Sequence, residues 1–265
     1  MDISGLRSFA TWARVVLSRQ VQARITAVLA PGSTTRVKHP AAISALEHAI
    51  ADTSHDQVIE RVAYTWFNRI IALRFMDANG YTSLGVVSPS PTSPGQPEIL
   101  AHAKRGLTDP DIITPTTHTT VMALLDGTRT SPDPQGEAYA LLLAEYCRHY
   151  HRIMPFMFQP EGDYTELLLP ADLLADTSVL TAAVTTLTPE VCHDVEVIGW
   201  LYQFYIAERK DEVFAGFKKN QKAGPAEIPA ATQLFTPHWI VRYLVENSIG
   251  RLWLLNHPDS ALADH

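Results

Sequence analysis

The apolar positions of this 265-residue chain recur every three to four residues along most of its length, the period of α-helices with one buried face. Leu6, Phe9, Ala13, Val16, Leu17, Val21, Ile25 and Val28 predict a first helix over Ile3 to Leu29, stopped by Pro31-Gly32. A second helix is expected from Pro40 to Ala51. Ser54-His55-Asp56-Gln57 then matches a capping box, in which the Ser hydroxyl and the Gln amide satisfy two orphan N–H groups reciprocally. It opens the broadest apolar stripe of the chain: Val58, Ile59, Val62, Ala63, Trp66, Phe67, Ile70 and Ile71, with Glu60, Arg61, Thr65, Asn68 and Arg69 on the opposite face. Asn79-Gly80 should end this helix as a left-handed cap.

The middle of the chain is more broken. PSPTSPGQP, up to Pro97, has no periodicity and reads as an exposed loop. Short helices are expected at Glu98 to Arg105 and His118 to Leu125. SPDPQG is a second break, and Gly136 a candidate subdomain boundary. Glu137 to Met154 returns to helix, ended by Pro155, and Asp176 to Leu187 follows after a short mixed stretch from Tyr164 to Asp172. Thr188-Pro189 combines a favoured N-cap with proline at the first helical position, predicting a long helix through Val195, Ile198, Leu201, Tyr202 and Tyr205. With Trp200, Tyr202, Phe204 and Tyr205 spread around it, that helix should be core rather than a base-stacking platform, which usually sits on strands or loops beside a basic groove. Thr236-Pro237 repeats the device, with Thr236 as N-cap, and Ile240, Val241, Leu244, Val245, Ile249, Leu252 and Trp253 give the helix it opens one apolar face. The fold class is mainly α, built of many helices.

Composition narrows the chemistry. A chain of this length, 46% hydrophobic, can bury a good core in one large domain or two smaller ones, but only 18% of it is charged, so part of its surface is uncharged or covered. A net charge of −7 argues against a phosphate-tracking DNA clamp, which needs a basic face. The one basic cluster is Lys218, Lys219 and Lys222, in the mobile loop GFKKNQKAGPAEIP, where contact with nucleic acid or a cofactor competes with plain solvation. Arg69 and Arg74 read as solvated or ion-paired rather than phosphate-binding. Cys147 and Cys192 form no CxxC pair and no secretory leader precedes them, which implies a reduced, bacterial-cytoplasm-like setting. Cys147 and His151 lie one turn apart, but without further ligands no metal site is expected, only a packed cysteine beside a hydrogen-bonded histidine. Arg7, Arg14, Arg19 and Arg24 resemble a transit-peptide composition, yet the core-type pattern running through them makes an ordinary first helix. No apolar run reaches the roughly 18 residues of a membrane span.

Three stretches carry a family resemblance. QLFTPHWIVRYLVENSIGRLW, together with VAYTWFNRIIALRFMDANGY and GWLYQFYIAERKDEVF, resembles the N-terminal region of the PglX family, the adenine-specific DNA methyltransferases of bacteriophage exclusion (BREX) systems. More broadly, Gln233 to Val245 is similar to the QFFTP-type motif of type I restriction modification subunits. The resemblance implies that Gln233, Leu234, Phe235, Thr236 and Pro237 bind S-adenosylmethionine, flanking its methionine end with the carboxylate near the helix N-terminus. Independently of the family, that N-terminus offers unpaired N–H groups and the positive end of a helix dipole.

In this family a Gly-rich turn completes the cofactor pocket and an Asn-Pro-Pro-aromatic tetrapeptide holds the flipped adenine. Neither motif occurs here, and in family order both follow the Phe-Thr-Pro corner. The resemblance therefore implies a helical N-terminal domain over 1–228, with a subdivision open near 127–136, then the first part of the methyltransferase domain over 229–265. The α/β catalytic domain and all catalytic residues are expected to lie outside this chain, leaving 1–265 inactive alone and serving DNA enclosure or partner contacts. The implied partners are double-stranded DNA, other BREX proteins and a phage-encoded inhibitor. The competing reading is a non-catalytic helical interaction module of a phage-defence complex.

Overall fold

Helices follow one another through nearly the whole chain in the computed structural model, which describes residues 3–90, 93–224, 227–232 and 234–264. The architecture is mainly α, as the periodicity predicts, with one short two-stranded ribbon. The chain divides into two units, Met1–His193 and Asp194–His265.

The first unit is organised on two long helices, α1 (Ile3–Leu29) and α4 (His55–Ala78), whose apolar stripes face each other. Leu6, Phe9, Ala13, Leu17, Val21 and Ile25 of α1 are buried, as are Val58, Val62, Trp66, Phe67 and Ile70 of α4. Phe9 and Phe67 meet at 6.1 Å between ring centroids. Removing each such side chain from water contributes about 1.5–3 kcal/mol, so this seam is the main stabilising feature of the unit. Between the two helices lie α2 (Thr34–Lys38), which the hydrophobic pattern does not predict, and α3 (Pro40–Asp52). Ser54 caps α4 by accepting the Gln57 N–H at 3.2 Å, and Gly80, at φ +69°, turns the chain after it. Asn79, at φ −97°, is not itself left-handed.

The expected loop before Glu98 instead contains an antiparallel ribbon, β1 (Pro89–Ser90) and β2 (Ser93–Pro97). Proline suits an extended backbone and loses little in so short a pairing, where few ladder N–H groups are needed. The ribbon leads into α5 (Glu98–Ala103), which packs on α7 (Pro134–His151), as does α6 (Pro115–Leu125). Asp133 caps α7 by accepting the Gly136 N–H at 2.9 Å, so SPDPQG is the start of a helix and Gly136 stands in its first turn. After α8 (Tyr164–Leu167), α9 (Val179–Thr186) lies against α1 and α4.

The long helix expected from Thr188 is broken. Thr188 caps only α10 (Pro189–Cys192), and the next helix, α11 (Glu196–Tyr205), starts separately after the division between the units. His193-Asp194-Val195 separates them, and the Asp194 carboxylate accepts the Glu196 N–H at 2.9 Å, so α11 has its own side-chain acceptor at its start.

The second unit continues with α12 (Ala207–Phe217), α13 (Ile228–Thr232) and α14 (His238–Val245). A π turn over Glu246–Gly250 joins α14 to α15 (Arg251–Asn256). Glu227 ties the basic loop down, pairing with Arg209 of α12 at 3.2 Å and accepting the Gly224 N–H at 3.0 Å. Among the described residues no helix is long and apolar enough to cross a membrane.

Candidate functional site

Two arginines of α4 lie in the interior of the first unit. Arg69 and Arg74 are neither solvated nor available to phosphates: they are 1% and 6% exposed. Arg69 lies over the Trp66 ring at 4.7 Å and donates to Thr165 Oγ1 at 3.2 Å. Arg74 donates to the Leu187 carbonyl at 2.8 Å and to Ser88 Oγ at 2.7 Å. Position on the polar face of α4 suggested solvation, but α8, α9 and the turn before β1 fold back over that face and supply acceptors. Cys147 is buried, His151 Nδ1 lies 2.6 Å from the Phe158 carbonyl, and no cluster of metal-ligating side chains occurs among the described residues.

The candidate site is the corner that enters α14. Phe235-Thr236-Pro237 is seated on α11 by contacts from four of its residues. Gln203 Oε1 accepts the Phe235 N–H at 2.9 Å, and Glu196 accepts the His238 N–H, the first amide of α14. The Phe235 ring rests over Gly199, where a Cβ would collide with it, and packs edge-on against Trp200 at 5.3 Å. Trp200 in turn stacks on Phe204 at 5.7 Å. Glu196, Gly199 and Gln203 fall at i, i+3 and i+7, one face of a helix.

This differs from the predicted cap. α14 begins one residue later than expected, with Pro237 in the N-cap position and no side-chain cap from its own segment. The Glu196 carboxylate, reaching over from α11, supplies the oxygen that Thr236 was expected to supply, and the helix dipole favours that charge. Thr236 is exposed, Leu234 is 70% exposed, and Phe235 and Pro237 are half-buried. Gln233 lies outside the described residues.

Sequence reasoning missed Glu196, Gly199 and Gln203. The signal was present: in an otherwise aromatic helix, three small or polar residues line up along one face and mark where another segment approaches. Lys218, Lys219 and Lys222 are all exposed beyond α12. Beyond the corner, α14, the π turn and α15 leave a long apolar surface open, with Trp239 70%, Ile249 71% and Leu252 62% exposed.

No protein-family profile matches the chain. It is 42% identical over 208 residues to the "Adenine-specific methyltransferase BrxX" of Escherichia coli O9:H4, a match covering 78% of this chain and 16% of that protein. It is 38% identical over 207 residues to the "Adenine-specific methyltransferase PglX" of Lacticaseibacillus casei, covering 74% of this chain and again 16% of the relative. The chain thus spans about a sixth of the length of these relatives. By shared sequence across three quarters of its own length, it is a relative of the PglX and BrxX adenine-specific methyltransferases, the family its motifs resemble.

Proposed function

We propose that this chain is part of an S-adenosylmethionine-dependent DNA adenine-N6 methyltransferase of bacterial anti-phage defence, with residues 229–265 as the opening of its methyltransferase domain. The corner Leu234-Phe235-Thr236-Pro237, with Gln233 leading in, flanks the methionine end of the cofactor. The observation that carries this is the carboxylate of Glu196 on the first amide of α14. The positive end of the helix dipole that holds the Glu196 carboxylate also favours the cofactor's own carboxylate beside the corner, with Glu196 remaining on its amide. Phe235 fixes the corner, Thr236 is exposed beside it, and Pro237 leaves the turn without an N–H that would need a partner.

When bound, the cofactor supplies the methyl group that passes from its sulfonium to the adenine exocyclic nitrogen. The residues of this chain hold and orient its amino-acid end and take no part in moving protons at the base. Chain 1–265 alone is accordingly inactive, and its helical first unit helps enclose DNA or contacts other proteins of the defence system. Lys218, Lys219 and Lys222 contact the DNA backbone. Each phosphate left unneutralised by a lysine substitution makes the slope of log affinity against log salt about 0.9 less negative.

The test uses the full-length protein: Thr236→Ala and Pro237→Ala should weaken cofactor binding while adenine methylation by the unmodified protein proceeds. Wild-type cofactor affinity in both variants would remove the corner from the site. A second reading, a non-catalytic interaction module, is favoured by the open apolar surface of α14 and α15. Absence of adenine methylation by the full-length protein would select it.

A further inference from the structure

We infer that Glu196, Gly199 and Gln203 of α11 are positioning residues that form a seat for Phe235-Thr236-Pro237, so that affinity for the methionine end of the cofactor is set from α11. This rests on the reading of the corner given above and adds the part of the protein that controls it.

Two main-chain hydrogen bonds and the packing of one aromatic ring converge on four consecutive residues. Gln203 holds the amide of Phe235 and Glu196 that of His238, so Thr236 and Pro237 are anchored on both sides by main-chain hydrogen bonds. Gly199 admits the Phe235 ring to the helix surface and Trp200 closes on its edge. The corner has little else to locate it: Leu234 and Thr236 are exposed and α14 buries none of its side chains. Moving any seat residue therefore moves Thr236 relative to α14, and a ligand that bridges the two loses its geometry. A glycine within a helix is costly unless close approach requires it, and here the Phe235 ring occupies the space of its missing Cβ.

The seat is tested in the full-length protein with Gln203→Leu, which removes the acceptor, Gln203→Glu, which keeps an acceptor oxygen, and Gly199→Ala. Two quantities are read: the dissociation constant for S-adenosylhomocysteine by calorimetry, and hydrogen exchange of the Phe235 to Trp239 backbone. Gln203→Leu and Gly199→Ala should each weaken binding by about ten-fold and speed exchange, with Gln203→Glu near wild type. A position 199 that serves packing alone predicts a lower melting temperature with unchanged binding for Gly199→Ala, because the added Cβ meets the Phe235 ring. Wild-type binding and exchange in both Gln203→Leu and Gly199→Ala overturn the inference. If Thr236→Ala weakens binding while the seat variants do not, the seat alone fails. If Thr236→Ala and the seat variants all bind normally, the cofactor reading of the corner fails with it, even where exchange at Phe235 quickens.

Discussion

The Asp77 carboxylate accepts the backbone N–H of Val87 at 2.9 Å, and the amides on either side, Val86 at 3.0 Å and Ser88 at 2.9 Å, converge on it as well. The Thr82 hydroxyl donates to it at 2.8 Å. One side chain at the end of α4 thus replaces the hydrogen bonds that the turn before β1 does not make with itself. It thereby presents Val86 and Val87 to the core, where both are buried. Asp77→Ala leaves four donors without their acceptor and should destabilise the first unit by about 2–4 kcal/mol. Asp77→Asn should cost less, since it keeps one acceptor oxygen. Urea denaturation followed by circular dichroism reads both, and equal midpoints for Asp77→Ala and wild type would refute the staple.

Trp66 makes a second long-range connection. Its indole N–H donates to the Thr165 carbonyl at 3.0 Å, and its face carries the Arg69 guanidinium. Burial lowers the Arg69 pKa, and the nearby Cys147, Asp163 and Glu166 oppose that shift. Trp66→Phe deletes the donor and part of the volume while keeping a ring, and should cost about 1–3 kcal/mol. Thermal unfolding of the variant measures it. A loss below about 0.5 kcal/mol would show that the carbonyl and the guanidinium find other partners.

Alkaline pH should unfold the first unit through α7. Burial pushes the Cys147 thiol and the Tyr150 phenol each up to about 12, from ordinary values of 9.0 and 10.0. Burial also raises Tyr139, Tyr146 and Cys192. The folded state therefore favours the protonated forms. Their stabilisation is intact below about pH 9 and is lost progressively as pH climbs towards about 12. A pH series of melting temperatures should fall across that window. At about pH 8, below the ordinary thiol range, both cysteines should resist a thiol-reactive disulfide reagent in native protein and react fully in guanidinium. Rapid native labelling of Cys147 would contradict its burial.

Chain 1–265 alone should bind anilinonaphthalene sulfonate through the open stripe of α14 and α15, since Trp239, Ile249, Leu252 and Leu255 are exposed together on one continuous helical segment. Ile249→Lys and Leu252→Gln should reduce the fluorescence and raise solubility without changing the melting of the first unit. Dye binding that is indifferent to both substitutions would locate the apolar surface elsewhere.

Helical periodicity made α1, α3 and α4 legible almost to the residue, because each buries one full stripe and carries a recognisable stop or cap. Reading failed where neighbours override local pattern. Arg69 and Arg74 sit on what looks like the solvent face of α4, and only the return of distant segments, carrying the Thr165 hydroxyl and the Leu187 carbonyl, buries them. Thr188-Pro189 and Thr236-Pro237 look alike in sequence. Thr188 does cap its helix, accepting the Val191 N–H at 3.4 Å, but that helix is one turn long. At the second corner the cap comes from Glu196, 42 residues away, which no local rule reveals. The corner itself was marked by its family motif, whereas its seat on α11 was visible only as an alignment of residues with no stated purpose.

The π turn over Glu246–Gly250 holds one residue more than regular α-helix would place there. Leu244 and Leu252 are eight positions apart, which in an unbroken α-helix rotates them about 80° from each other; absorbing one residue returns them to near seven-residue spacing and a common side. The segment therefore behaves as a continuous stripe carrying an insertion. Deleting Ser248 should convert the turn to plain α-helix and keep Leu244 and Leu252 aligned, whereas deleting Asn247 as well should put them out of phase.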